Sequence, residues 1–284
     1  MSTTIDYKVD ILIFGSAGLP ADWVYNGKYM AGEFTANTFG VTAVRGGGKN
    51  ILIDCGSNMG DPAKQFVYFD IYHANETMGT VEDALALVDL KPEDITDIVL
   101  THAHMDHMGA VELFPYAQFY IQKEELEAWE AIAADPKIAP MLIPGVADPD
   151  DLKRARALVE EGRMTLLEGD VEDLLPGIDV IALNNRHSVM DQIVVVNTPD
   201  ASFVDVGDIV TREAHILGLP GIAEHYMWQS GSAGCEYLTM MTYPQIMELA
   251  GGDIKNVIMR HDFTYRDSKT PAAQDGNCVR YQLR

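Results

Sequence analysis

The chain has 284 residues, 47% of them hydrophobic, enough for a sizeable buried core in one large domain or two small ones. Acidic residues number 43 against 20 basic ones, a formal charge of −23. A surface that acidic repels phosphate backbones and anionic bilayers, which argues against nucleic-acid and membrane partners. Cys55, Cys235 and Cys278 are odd in number and form no Cys-x-x-Cys pair, so neither a disulfide framework nor a thiolate zinc site is indicated. The first apolar run, Val9–Phe14, is too short for a secretion signal, and no stretch approaches transmembrane length. A cytoplasmic protein is the expectation.

Val9–Phe14 reads as a strand. Thr38–Arg45 and Asn50–Ile53 flank Gly46-Gly-Gly48, which predicts a β-hairpin. Thr80 opens a capping-box variant and a helix to about Val88, and a turn at Lys91-Pro-Glu-Asp94 leads to a strand at Ile98–Leu100. Met108–Phe114 is predicted as a short helix, Gln118–Gln122 as a strand, and Lys123–Ala134 as a helix burying Leu126, Trp129 and Ala133. Asp148-Pro149 caps a further helix that Gly162 ends, with Leu152, Ala155 and Val159 facing inward. Strands follow at Met164–Leu167, Val180–Leu183, Ile193–Val196 and Phe203–Val206, then a helix at Tyr243–Ala250 and a last strand at Val257–Arg260. No repeat or low-complexity linker divides the sequence, so residues 1–284 read as a single domain of two β-layers clad by helices.

The chemistry concentrates in Thr101-His-Ala-His-Met-Asp-His107, between a strand and a helix. At such a junction the backbone turns sharply, so His102, His104, Asp106 and His107 can converge without a helical period. Neutral imidazole and carboxylate suit zinc, and also iron or manganese. Buried without a metal, these groups would leave several polar atoms needing partners. A lone histidine is by contrast ordinarily a core or surface residue, which is the reading given to His73.

The segment resembles the metallo-β-lactamase superfamily, whose signature is His-x-His-x-Asp-His at the end of a strand. The resemblance runs from about Phe39 to Asp262. Ile51-Leu-Ile-Asp-Cys-Gly56 is similar to the family's early strand ending in Asp-x-Gly, Phe203-Val-Asp-Val-Gly-Asp208 to the strand that ends in its bridging aspartate, and Val257-Ile-Met-Arg-His261 to the strand before its last histidine. The resemblance implies an α+β fold, a four-layer αβ/βα sandwich of two mixed β-sheets flanked by helices. It also implies two zinc ions, with iron or manganese as alternatives. His102, His104 and His187 would hold one ion, Asp106, His107 and His261 the other, and Asp208 would bridge them. Asp54 and Thr101 would orient histidines.

Two departures stand out. Around His187 the chain reads Asn185-Arg-His-Ser-Val-Met-Asp191 where the family often has Gly-His-Thr-x-Gly, which implies an altered loop. His215 and His225 are the competitors for the place of His187, but both follow the Asp208 strand, in the wrong order. Length and layout resemble the branch of N-acyl homoserine lactonases, yet Thr211 stands where those enzymes place a tyrosine. The resemblance therefore implies a hydrolase opening a small lactone or cyclic ester with water readied between two cations, Asp106 and Asp208 being its catalytic carboxylates. Thioester or β-lactam hydrolysis and iron-dependent oxidoreduction are the alternatives. Related lactonases are often dimers, so a homodimer is also implied. Tyr226, Trp228 and Tyr237, with Gly231 and Gly234, read either as a lid over the site within Glu213–Thr242 or as a packed loop or interface. Trp23 and Tyr25 are open to the same two readings. Met105 and Met108 line the site or fill the core.

Overall fold

A computed structural model describes residues 2–25, 32–71, 78–139, 146–219, 221, 224–229, 234–262 and 270–284. His73 and Gly231 lie outside them. In chain order the strands are β1 (Lys8–Pro20), β2 (Phe34–Gly46), β3 (Lys49–Ile53), β4 (Asp97–Val99), β5 (Gln118–Gln122), β6 (Met164–Leu167), β7 (Val171–Leu175), β8 (Ile178–Asn184), β9 (Met190–Asn197), β10 (Ser202–Asp205), β11 (Val257–Ile258), β12 (Ala273–Asp275) and β13 (Cys278–Gln282). They form two mixed sheets. One has eight strands in the order β12-β13-β1-β2-β3-β4-β5-β6, the other five in the order β11-β10-β9-β8-β7.

The period-two geometry of a strand explains the layering. In β1, Val9, Ile11 and Ile13 point into a core between the sheets, while Leu12 and Phe14 point outward. In β9, Val194 and Val196 enter that same core, and Ile193 and Val195 face away. Both faces of these strands are covered, so each reads as a continuous apolar run rather than an alternating one. The outer face of the large sheet packs on the helices Val81–Ala86, Lys123–Ala134 and Pro149–Glu160 through Leu85, Leu126 and Leu152. The outer face of the small sheet packs on Glu236–Leu249 through Tyr243 and Ile246. Helix, sheet, sheet and helix make the four layers.

Several boundaries differ from those predicted. β1 runs on to Pro20 because β2 pairs with it along its length and β13 covers the other edge of its first half. The helix predicted at Met108–Phe114 is instead one turn at Met105–Met108, followed after Gly109 by a 3-10 turn at Val111–Leu113. Its N-cap is His104, in extended conformation, so Asp106 and His107 sit inside the helical turn rather than before it. The helix predicted at Tyr243–Ala250 begins at Glu236, with Pro244 inside it; proline signals a helix start in sequence, which hid the first two turns. Strands β7, β12 and β13 and the short helix Glu213–Leu217 were not predicted.

Candidate metal centre

The site lies where the two sheets meet at one end. Strands β3, β4, β5 and β6 run parallel, as do β10 and β11, and the chain leaves β3, β4, β10 and β11 toward the same end. Asp54 follows β3, His102 to His107 follow β4, Asp208 follows β10 and His261 follows β11. His187 comes from the turn between β8 and β9. Gln192 in β9 ties the sheets together there: its backbone N–H donates to the Thr101 carbonyl at 2.9 Å, and its side chain donates to the Leu100 carbonyl at 2.5 Å.

Seven side chains meet in two groups. His102, His104, His187 and Asp208 form one, and Asp106, His107, Asp208 and His261 the other, with the ligand atoms of each group within 4.8 Å of one another. Asp208 belongs to both. Its Oδ1 lies 3.0 Å from His261 Nε2 and 3.2 Å from His107 Nε2, and its Oδ2 lies 3.3 Å from His187 Nε2. Asp106 Oδ2 is 3.3 Å from His261 Nε2 and 3.5 Å from His107 Nε2. The six residues other than Asp106 are buried, and Asp106 is only partly exposed.

The donor set fits a pair of divalent cations. Among the described residues, buried His102 Nε2 makes no hydrogen bond, and buried His107 Nε2 and Asp208 Oδ1 face each other at 3.2 Å without hydrogen-bond geometry. Buried polar atoms of that kind need a partner, and imidazole nitrogens converging with carboxylate oxygens are the donors that borderline divalent metals take.

Behind the seven lies a layer of residues that aims them. Asp54, at φ 61, turns its carboxylate to accept from Thr101 N at 2.6 Å, from Thr101 Oγ1 at 2.7 Å and from His107 Nδ1 at 2.6 Å. A non-glycine residue in the left-handed region is uncommon, and here the backbone strain accompanies three hydrogen bonds to one carboxylate. Buried Arg260 donates to Asp54 and, at 2.8 Å, to Asp205. Thr101 Oγ1 is 3.0 Å from His102 Nδ1. The Thr38 carbonyl accepts from His261 Nδ1 at 2.6 Å. Arg212, also buried, donates to the His261 carbonyl and to Asn37 Oδ1 at 3.0 Å. Gln229 donates to the Asp208 carbonyl and accepts from Thr211 N at 2.7 Å.

The two groups differ electrostatically. Burial, then His107 and His104, holds His102 well below the usual imidazole range, and burial with His187 beside it pulls His104 down to about 3. Burial opposes charge on His107 as well, but Asp106, Asp208 and Asp54 outweigh it and push His107 well above that range. Burial likewise opposes charge on His261, but Asp208 and Asp106 lift it to about 9. Burial works against ionisation of Asp106 and Asp208 too, and the neighbouring histidines His107 and His261 reverse it, holding both carboxyls well below their ordinary range. One half of the cluster thus keeps neutral imidazoles, and the other attracts positive charge.

Residues 41–227, well over half of the chain, match the family model of the metallo-beta-lactamase superfamily. The chain belongs to that superfamily. Solved structures share the fold. A probable metal-dependent hydrolase from Staphylococcus aureus superposes with a TM-score of 0.67 at 19% identity, covering 92% of this chain and 91% of that one. An N-acyl homoserine lactone hydrolase with its product N-hexanoyl-L-homoserine bound at the catalytic metal centre gives 0.63 at 16% identity, covering 95% and 98%. AidC, a dizinc quorum-quenching lactonase, gives 0.61 at 16% identity, covering 92% and 89%.

In this metallo-beta-lactamase fold, other residues singled out in the sequence fall elsewhere. His215 is buried and His225 exposed, and neither joins the groups of potential ligands. Met105 and Met108 are buried in the core beneath the helices. Thr211 is held by Gln229. Tyr226 and Tyr237 are exposed, as is Trp23, whereas Tyr25 is buried against Met227. The sequence reading missed Asn37, Glu125, Gln192, Arg212, Gln229 and Arg260. Arg260 carried a signal: an arginine closing the apolar run Val257-Ile-Met259 has to find a buried acid.

Proposed function

We propose that the chain is a dinuclear metal-dependent hydrolase that opens a small lactone or cyclic ester, with zinc as its metal. The observation that carries this reading is the sharing of Asp208 between two groups of ligand-type side chains. His102, His104 and His187 would hold one ion and Asp106, His107 and His261 the other, with Asp208 spanning both. Such a pair of cations lowers the pKa of water and polarises a carbonyl oxygen. The chain's own residues do the rest. Asp208, with its carbonyl fixed by Gln229, sets the spacing of the two halves. Asp106 turns Oδ2 toward His107 and His261, and as an ionised carboxylate it would take a proton from the attacking water and pass it to the departing oxygen. Two of the similar structures are named as homoserine lactone hydrolase and dizinc lactonase, which supports the class. Thr211, in place of that branch's tyrosine, favours a lactone other than an acyl homoserine lactone. The acidity of the chain favours a neutral or cationic small molecule over a polyanion.

Metal analysis of the purified protein, joined to a pH-indicator screen of lactones of varied ring size, esters, thioesters and β-lactams, tests this. The expected result is two zinc equivalents and turnover of a small lactone. Well under one equivalent after zinc loading overturns the metal reading, turnover of only thioesters or β-lactams overturns the substrate class, and iron with oxygen uptake overturns hydrolysis.

A further inference from the structure

The Glu125 carboxylate is wholly buried and accepts four hydrogen bonds. Its Oε1 takes the Ala103 N–H at 3.0 Å, the Trp129 indole N–H at 3.0 Å and the Ser188 hydroxyl at 2.7 Å, and its Oε2 takes the Met190 N–H at 2.7 Å. Ala103 separates His102 from His104, and Ser188 follows His187. One side chain from a third element, the helix Lys123–Ala134, therefore joins the loop after β4 to the β8–β9 turn. The same carboxylate sets the Trp129 indole, whose ring stands edge-on to His104 at 5.5 Å. Asp191 secures the turn further by accepting from Ser188 N at 2.8 Å. The other half of the cluster rests on Asp54, Arg260, Thr38 and Arg212, none of which Glu125 touches; Asp54 also reaches His102 through the Thr101 hydroxyl, whereas His104 and His187 have no contact with it.

We propose that Glu125 is a positioning residue for the three-histidine half alone: it brings His102, His104 and His187 to one point, and so governs whether that half holds its ion. The inference rests on the dinuclear reading above. An amide cannot replace this carboxylate. All four neighbours donate, so the NH2 of a glutamine must face at least one N–H or O–H. A ligand set displaced by a fraction of an ångström loses affinity while the rest of the site is untouched, and loss of such an outer hydrogen bond weakens metal binding by about 10- to 100-fold.

The test is zinc titration of metal-stripped, refilled protein against a chromophoric chelator, for wild type, Glu125→Gln and Ser188→Ala, with circular dichroism and thermal midpoints recorded alongside. The expected result is one equivalent bound about 10- to 100-fold more weakly in Glu125→Gln, with a smaller effect of the same kind in Ser188→Ala, and the other equivalent unchanged. The weakened equivalent should be the one abolished by His104→Ala. If Glu125→Gln fails to fold, Ser188→Ala, which keeps the carboxylate, decides. Two equivalents at wild-type affinity in the folded variants overturn the proposal, as does equal weakening of both, the signature of a residue that serves only stability. Failure of the wild type itself to take up two equivalents would instead remove the dinuclear reading.

Discussion

Asp54 Oδ2 and His107 Nδ1 meet at 2.6 Å with both side chains buried. By accepting from Nδ1, the carboxylate fixes the ring tautomer and leaves the Nε2 lone pair on the side of Asp106 and Asp208. The same oxygen takes the Arg260 guanidinium, so orientation of the His107 ring and compensation of a buried cation depend on one group.

Asp54→Asn should therefore act on both. Zinc affinity is expected to fall about 10- to 100-fold, because the amide no longer enforces the tautomer. Stability should drop by about 3 kcal/mol, since Arg260 loses one of its two acids. Chelator competition and urea unfolding measure the two effects. Unchanged zinc affinity would show that His107 needs no such support.

Asp208→Ala removes the one carboxylate common to both groups. The variant should keep its far-ultraviolet circular dichroism, bind no more than one equivalent of zinc, and lose at least about 100-fold in kcat/KM on whatever ester the wild type turns over. Full activity in the folded variant would place the chemistry elsewhere.

Gly207 precedes Asp208 at φ +51, and a Cβ there would come within 2.7 Å of Thr101 Oγ1, the hydroxyl that touches Asp54 and His102. Gly207→Ala should cost about 1–3 kcal/mol from backbone strain and push Thr101 aside. Thermal denaturation with and without zinc checks it. A variant as stable as wild type in both conditions would show that the turn has slack.

His215 is wholly buried, and burial, reinforced by Arg212, pulls its ring down to about 3 from an ordinary 6.5. Between those values the unfolded chain binds the proton and the folded chain does not, so stability rises with pH. The contribution is complete above pH 6.5 and is lost as pH falls below it. In metal-stripped protein, His215→Phe should flatten the fall in unfolding free energy below pH 6.5 by up to about 1.4 kcal/mol per pH unit. Parallel curves for the two proteins would show that the ring takes up its proton in the folded state as readily as in the unfolded one.

Residues near one another in the chain carried their meaning openly. His102, His104, Asp106 and His107 lie within six positions, and turn chemistry and local apolar patterning fixed Gln118–Gln122, Lys123–Ala134 and Met164–Leu167 to the residue. These features depend on neighbours a few bonds away, and so a linear reading recovers them. What folding alone decided is which distant groups stand behind these histidines and carboxylates. Glu125 reads as one more acid on a charged helix until the β8–β9 turn is laid against it, and Gln229 reads as a loop residue until its amide reaches the Asp208 carbonyl. β13 acquires its place only by pairing with β1, more than 260 positions away. Each of these rests on hydrogen bonds between segments whose separation in sequence carries no trace of their contact, because burial creates the demand for a partner and only the packed structure supplies it.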